Sequence, residues 1–449
     1  MGRCDGCGGW GTLAPVEPAP PPAAVRTGAA ALPIAQVEPV SRPPRPSGSV
    51  EVDRVTNGGF MAGSLTLLAG EPGIGKSTLA LQLAAAVARR GERALYVSAE
   101  ESPAQVRQRA QRLGVLHDEL WLAGLHDVEA LAAEVERLNP ELVVVDSIQT
   151  VALPDVAAAP GSVGQVRASA LRLAEVARAT DAAVLLIGHV TKDGSLAGPR
   201  QLEHLVDTVL GFEGDRHHAL RLLRASKHRF GPTSELGLLE MHQGGLVDVD
   251  DASGLLLADR RPAAAGSVVF PMVDGQRPLL VELQSLVVSG AGATAGRRSA
   301  EGIDGGRLGL LLAVLGRVFE VPVLSAEIYC LAVGGVEVGD PGADLALACA
   351  IVSSLSGKAL PADVVVCGEV GLGGEVRTVR HAERRLVEAA RAGFRRAIVP
   401  VTSPDVAGLA LTRVRSVGEA LLAVGLGGPR PVRRPNPGQG DRASRPAVG

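Results

Sequence analysis

The chain has 449 residues, enough for two or three domains of about 100–200 residues each. Apolar residues make up 46%, which excludes a wholly disordered protein, and 45 basic against 48 acidic residues gives a net charge of −3 that advertises neither nucleic acid nor membrane. The longest strongly apolar runs, such as Leu308 to Val314 and Leu345 to Val352, fall short of the roughly 18 residues a membrane span needs, and no basic-then-apolar leader opens the chain, so neither membrane nor secretion is expected.

Residues 1–15 carry a C-x-x-C pair, Cys4 and Cys7, and residues 16–46 are rich in Pro and Ala and read as a linker. Residues 47–249 alternate apolar strand, loop and helix, the pattern of an α/β fold with a parallel-rich sheet. The expected strands are Leu65–Ala69, Ala94–Ser98, Leu142–Val145, Ala183–Ile187 and Ala219–Arg224. Helical spacing marks Thr78–Arg90, Pro103–Leu113, Val128–Leu138 and Val166–Arg178. A second α/β region spans 254–426, with strand-like Val268–Phe270, Leu279–Val281 and Val364–Cys367 and helix-like Arg307–Arg317, Gly342–Leu355 and Ala382–Ala392. Residues 427–449 have no apolar periodicity and read as a disordered tail. The remaining cysteines, Cys330, Cys349 and Cys367, sit in apolar contexts; five scattered thiols are no disulfide framework and fit a reducing cytoplasm. The basic residues are nearly all arginine, as a GC-rich coding bias would give, so the four lysines, Lys76, Lys192, Lys227 and Lys358, carry more weight.

The strongest motif is Gly70-Glu71-Pro72-Gly73-Ile74-Gly75-Lys76-Ser77, followed by Thr78, which satisfies G-x-x-x-x-G-K-[ST] between a strand and a helix. Its glycines let backbone N–H groups close around phosphates, and the helix N-terminus favours the negative charge. Lys76 is placed to meet the β- and γ-phosphates of a nucleotide, and Ser77 to ligate Mg²⁺. Asp146, ending the apolar strand Leu142–Val145, would complete the Mg²⁺ shell. After strand Ala94–Ser98, a carboxylate beside the phosphates would polarise the attacking water; Glu100 is preferred to Glu101, and the competing reading is that both cap the next helix. His189, at another strand end, would sense the γ-phosphate or else be a packed histidine. The glycine-bearing loop Thr191–Arg200, with Lys192, suits contact with a polymer backbone. Lys227 and Arg229 flank one residue after a strand, an arrangement that can reach across a subunit boundary to the γ-phosphate, as an arginine finger supplied in trans does.

These residues together resemble the bacterial RadA (Sms) family of DNA-repair ATPases. The resemblance runs to about residue 426 and rests on the phosphate loop, Tyr96–Ser102, Val144–Thr150, Gly188–Lys192, Ala197–Arg200 and Leu205–Val209. It implies a RecA-like P-loop ATPase core followed by a Lon-protease-like α/β domain. It implies ATP and Mg²⁺ as cofactors, Glu100 as water activator and Asp146 as metal ligand. It places Lys227 and Arg229 in the family's K-N-R-F-G signature, with His228 where the family has Asn. ATP turnover coupled to single-stranded DNA, branch migration of recombination intermediates, a recombinase partner and a cytoplasmic, nucleoid-associated location follow from the same likeness. So does a closed homo-oligomeric ring, a hexamer with DNA through its centre, which would put Lys192 and Arg200 on the channel and Arg167 in a further pore loop. His228 counts as another DNA-contact candidate.

The family opens with a four-cysteine zinc element, and Cys4 to Trp10 matches only its second half. Two thiolates do not close a structural Zn²⁺ site, which takes four ligands. Cys4 and Cys7 therefore bind Zn²⁺ only with an upstream cysteine pair, and the natural protein is expected to start before Met1. In the Lon-like region, Gly342 stands where the protease has its serine and Glu383 where it has its lysine, so no peptidase activity is expected. Arg377, Arg380, Arg384, Arg385, Arg395 and Arg396 could form a DNA-facing basic surface, with Arg384 and Arg385 as the site candidates. The alternative to a DNA-dependent motor is a regulatory ATP-binding oligomeric scaffold with slow, DNA-independent hydrolysis.

Overall fold

The nine strands of the larger sheet run in the spatial order Leu120–Ala123, Ala94–Ser98, Leu142–Asp146, Ala183–His189, Leu65–Gly70, Thr208–Glu213, Leu220–His228, Leu236–His242 and Gly245–Asp248. The structure, a computed structural model, describes residues 33–36, 42–189, 202–214, 219–262, 264–288, 297–321 and 323–427. The Cys4/Cys7 element, most of the linker, all but the first residue of the tail, Lys192 and Arg200 lie outside those residues. The chain divides into residues 1–42, of which a short 3₁₀ turn at Ile34–Gln36 is described, and residues 43–449, which hold everything below.

Strands β1 (Leu65–Gly70), β2 (Ala94–Ser98), β3 (Leu120–Ala123), β4 (Leu142–Asp146), β5 (Ala183–His189) and β6 (Thr208–Glu213) are parallel. β1, β2 and β4 are buried at every residue, as strands covered on both faces must be. The covering helices are α2 (Lys76–Arg89), α3 (Pro103–Arg112), α4 (Val128–Leu138) and α5 (Val163–Thr180), and separate apolar cores fill the two faces. Caps fix where these helices start: the Ser102 hydroxyl accepts from Gln105 N in a capping box, and Asp127 and Ser162 cap α4 and α5. Registers Gly70↔His189 and Ser98↔Asp146 bring four carboxyl ends to one rim, where open α/β sheets bind ligands.

After β6 the chain reverses into antiparallel β7 (Leu220–His228), β8 (Leu236–His242) and β9 (Gly245–Asp248). A seven-stranded sheet follows, in the spatial order Arg298–Glu301, Glu327–Ala332, β11 (Arg277–Val288), β10 (Ser267–Asp274), Val364–Val366, Arg396–Pro400 and Ala410–Val414, with the apolar helix Asp344–Ser356 packed on β10 and β11. Among the described residues, no open linker separates the two sheets. Leu222, Leu236, Leu238 and Val249 share one core with Val268, Phe270 and Leu279. The β10–β11 turn docks on the first sheet: Gln276 N donates to Ser234 O at 2.9 Å, and Gly275 (φ +60°) has no room for a Cβ, which would meet Ser234 O at 1.7 Å. Arg224 pairs bidentately with Asp274 at 2.6 Å, and buried Glu51, on the short helix α1 (Val50–Val55), pairs with Arg277.

Candidate nucleotide site

Gly73 and Gly75 take φ of +81° and +114°, which lets the loop curl before α2 begins at Lys76. Glu71, Pro72 and Gly73 are exposed, Ile74 and Lys76 buried, and Ser77 and Thr78 half-buried on the first turn. The Lys76 ammonium folds back on its own loop, donating to the Gly70 and Glu71 carbonyls at 2.8 Å each. Burial lowers its pKa to about 8, against the raising influence of Asp146, Glu100 and Glu71.

Asp146 accepts from the Tyr96 hydroxyl at 2.5 Å. Burial raises its pKa, while the Tyr96 and Ser77 hydroxyls favour the carboxylate. Its Oδ1 is buried and makes no hydrogen bond of good geometry. A buried carboxylate oxygen left open beside a serine hydroxyl at the phosphate loop is a donor set that fits Mg²⁺, a hard cation taking oxygen ligands. Among the described residues no cluster of three His, Cys, Asp or Glu forms a separate metal site.

The two glutamates part company. Glu100 Oε1 accepts from the Ser147 hydroxyl at 2.5 Å and lies 3.2 Å from His189 Nε2, at the meeting point of β2, β4 and β5. Glu101 turns the other way and pairs with Arg109 on α3 at 2.5 Å. The structure thus brings Lys76, Ser77, Glu100, Asp146 and His189 to one rim. Sequence reasoning gave no role to Tyr96 and Ser147, although both lie in motif segments, and did not single out Arg109; these three hold three of the carboxylates, from partners 50, 47 and 8 residues away.

Lys227 and Arg229 are elsewhere. β7 pairs Thr208 with His228, at the start of β6, whereas Gly70 pairs with Phe212 near its end. The two cations therefore stand at the opposite end of the sheet from this chain's own phosphate loop. Lys227 donates to the Glu203 and Val206 carbonyls at 2.5 and 2.7 Å, and burial, then the charge of Arg229, lowers its pKa. Arg229 pairs with Asp207 at 3.0 Å and stays half exposed. His228 is half-buried, 2.9 Å from Thr208 Oγ1 and edge-on to Phe230, and burial lowers its pKa.

Of the DNA-contact candidates, Arg167 is exposed on the second turn of α5. Arg384 is exposed and bonds the Gln276 side chain. Arg385 is a correction: it is only 2% exposed and its guanidinium is used up inside the domain. It pairs with Asp340 at 2.5 Å, donates to Pro271 O and Arg380 O at 2.9 and 2.8 Å, and lies over Phe270, so it forms part of the wall of a cleft and not of an exposed basic surface. The sequence could not separate it from its exposed neighbour because one step along a helix turns a side chain from surface to core. Arg377 and Arg396 are matched by Glu375 and Asp363 at 2.5 Å, which thins the expected basic surface. Gly342 lines a cleft of about 680 Å³ with Asp340, Arg380 and His381; Glu383 is exposed and does not line it.

Residues 49–195 match the family described as AAA domain, and residues 331–403 match that described as subunit ChlI of Mg-chelatase. The first sheet is a RecA-like P-loop ATPase core and the second belongs to a Lon-protease-like domain. The chain is 48% identical over 414 residues to DNA repair protein RadA of Brucella abortus, covering 89% of this chain and 88% of that protein. It is 43% identical over 445 residues to DNA repair protein RadA of Mycolicibacterium smegmatis, covering 95% of each. It is 42% identical over 441 residues to the Bacillus subtilis protein of the same name, covering 95% of this chain and 96% of that one. Identity of that extent along both domains makes this chain a member of the RadA family of DNA repair proteins.

Proposed function

We propose that the chain is a DNA-dependent ATPase of recombinational repair, which binds single-stranded DNA and drives branch migration of recombination intermediates. The loop N–H groups and Lys76 hold the β- and γ-phosphates. Ser77 and Asp146 would hold Mg²⁺, which would supply positive charge beside the phosphates. Glu100 takes the proton of the attacking water, and its bond to His189 ties that carboxylate to the strand leading into the segment 190–201. Contact of Lys192 and Arg200 with DNA in that segment would reach the catalytic carboxylate through His189.

One observation carries the assembly. Along β6, Lys227 and Arg229 stand roughly 10–17 Å from the position facing Gly70, at the end of the sheet away from the loop of their own chain, which favours phosphate contact on a neighbouring subunit. A closed ring, proposed as a hexamer, supplies that neighbour at every site. Gly342 cannot attack a peptide bond, and Glu383 neither lines the cleft nor offers an amine, so the second domain is proposed to act in assembly and not in proteolysis. The test of the motor is strand exchange on a synthetic three-stranded junction with a recombinase present. ATP-dependent extension of the branch, lost in K76A, supports it; extension at equal rate without ATP rejects it.

A further inference from the structure

A loop that points its N–H groups at phosphates must point its carbonyls the other way. A carbonyl so turned into the protein needs a donor. Ile74 is 2% exposed, and its carbonyl accepts from Arg221 Nε at 3.0 Å. Arg221 is itself 5% exposed, and its Nη1 donates to Leu220 O at 2.9 Å. It stands on β7, two strands from β1, directly behind the loop. Gly214 keeps room for it, since a Cβ there would come within 2.9 Å of Arg221 Cδ.

The planar guanidinium of Arg221 donates from Nε to Ile74 O and from Nη1 to Leu220 O, and this two-point hold fixes the direction of the Ile74 carbonyl.

We propose that Arg221 is a positioning residue for nucleotide binding: from behind the phosphate loop it holds the Ile74 carbonyl away from the cradle, so that the loop is preformed for phosphate. This rests on the phosphate-loop reading above and makes no use of DNA. Arg221 does not touch the nucleotide. Its loss acts on the ground state and the transition state alike, raising KM and the dissociation constant while leaving kcat nearly unchanged.

The test uses the full chain with R221M and R221K, Mg²⁺, and a fluorescent N-methylanthraniloyl ADP as probe, alongside steady-state ATP turnover. R221M is expected to weaken probe binding and raise KM about tenfold or more, with kcat within about threefold. R221K, which keeps the charge without the fork, is expected to lie between R221M and the unaltered chain. Unaltered probe affinity in R221M overturns the proposal, as does a fall in kcat at constant KM. If R221M does not fold, R221K decides alone: weaker binding supports positioning, and unaltered binding rejects it. An unaltered chain that fails to bind the probe defeats the phosphate-loop reading itself, a result distinct from either.

Discussion

His189 Nε2 lies 3.2 Å from Glu100 Oε1, the same oxygen that accepts the Ser147 hydroxyl at 2.5 Å. A carboxylate held on one oxygen from two sides keeps its other oxygen for water. E100Q keeps the shape and removes the base. It is expected to lower kcat by about 10²–10⁴-fold while leaving ADP affinity within a few-fold. Retained turnover in E100Q would move the base elsewhere. Glu101, already spent on Arg109, is expected to tolerate E101Q with turnover nearly unchanged.

Lys76 gives a prediction in protons. Its pKa is lowered to about 8 in the unliganded chain, chiefly by burial. The depressed value means that folding with a charged Lys76 is penalised at pH below about 8, and the penalty fades as pH rises toward the free-lysine range. Bound phosphates restore the charge and raise the pKa. Nucleotide binding at pH 8 should then take up about half a proton at Lys76. Calorimetry in buffers of different ionisation enthalpy reads this, and uptake should shrink in K76M and toward pH 6.5. Equal uptake in K76M would assign the proton elsewhere.

The trans arrangement predicts complementation. K76A spoils the loop of one subunit, and R229A spoils the cation offered to a neighbour. Mixed rings of the two should recover turnover that neither variant shows alone, because some sites join an intact loop to an intact Arg229. Absence of recovery, with mixed assembly confirmed by mass, contradicts the cross-subunit role. Arg229 is exposed, whereas Asp207 is buried and keeps the Leu65 N–H as a donor, so R229A should fold with some loss of stability, read as a lower denaturant midpoint.

Breaking the buried pair between the two sheets should be costly. Glu51 also accepts from Leu238 N at 2.7 Å, so E51A leaves both Arg277 and a backbone N–H without that acceptor. A loss of about 3–5 kcal/mol is expected, seen as a lower denaturant midpoint. A midpoint within error of the unaltered chain would show that the junction is held by its apolar core alone.

The parallel half of the first sheet was readable because strands buried on both faces are unbroken apolar runs. Leu142–Asp146 is such a run, and the phosphate loop identifies its partner strand. β3 (Leu120–Ala123) was missed because it lies at the sheet edge, only partly buried, and has just four residues. β8 and β9 were missed because a short antiparallel hairpin between two α/β regions has neither a helix nor a long run to announce it. At the site, residue types with fixed chemistry, Lys76, Ser77 and Asp146, were legible. Glu100 was preferred to Glu101 from the sequence, but the contacts that separate them, Ser147 and Arg109, exist only after β2, β4 and α3 have packed. The burial of Arg385 was not legible for the same reason, since burial is a property of the fold and not of the arginine.

The measurement that bears most directly on the central claim is ATP hydrolysis by the full 449-residue chain, with and without single-stranded DNA at fixed salt, beside K76A. The motor reading predicts turnover that DNA stimulates severalfold and that vanishes with the Lys76 amine. Turnover indifferent to DNA, or stimulation that persists in K76A, would contradict it.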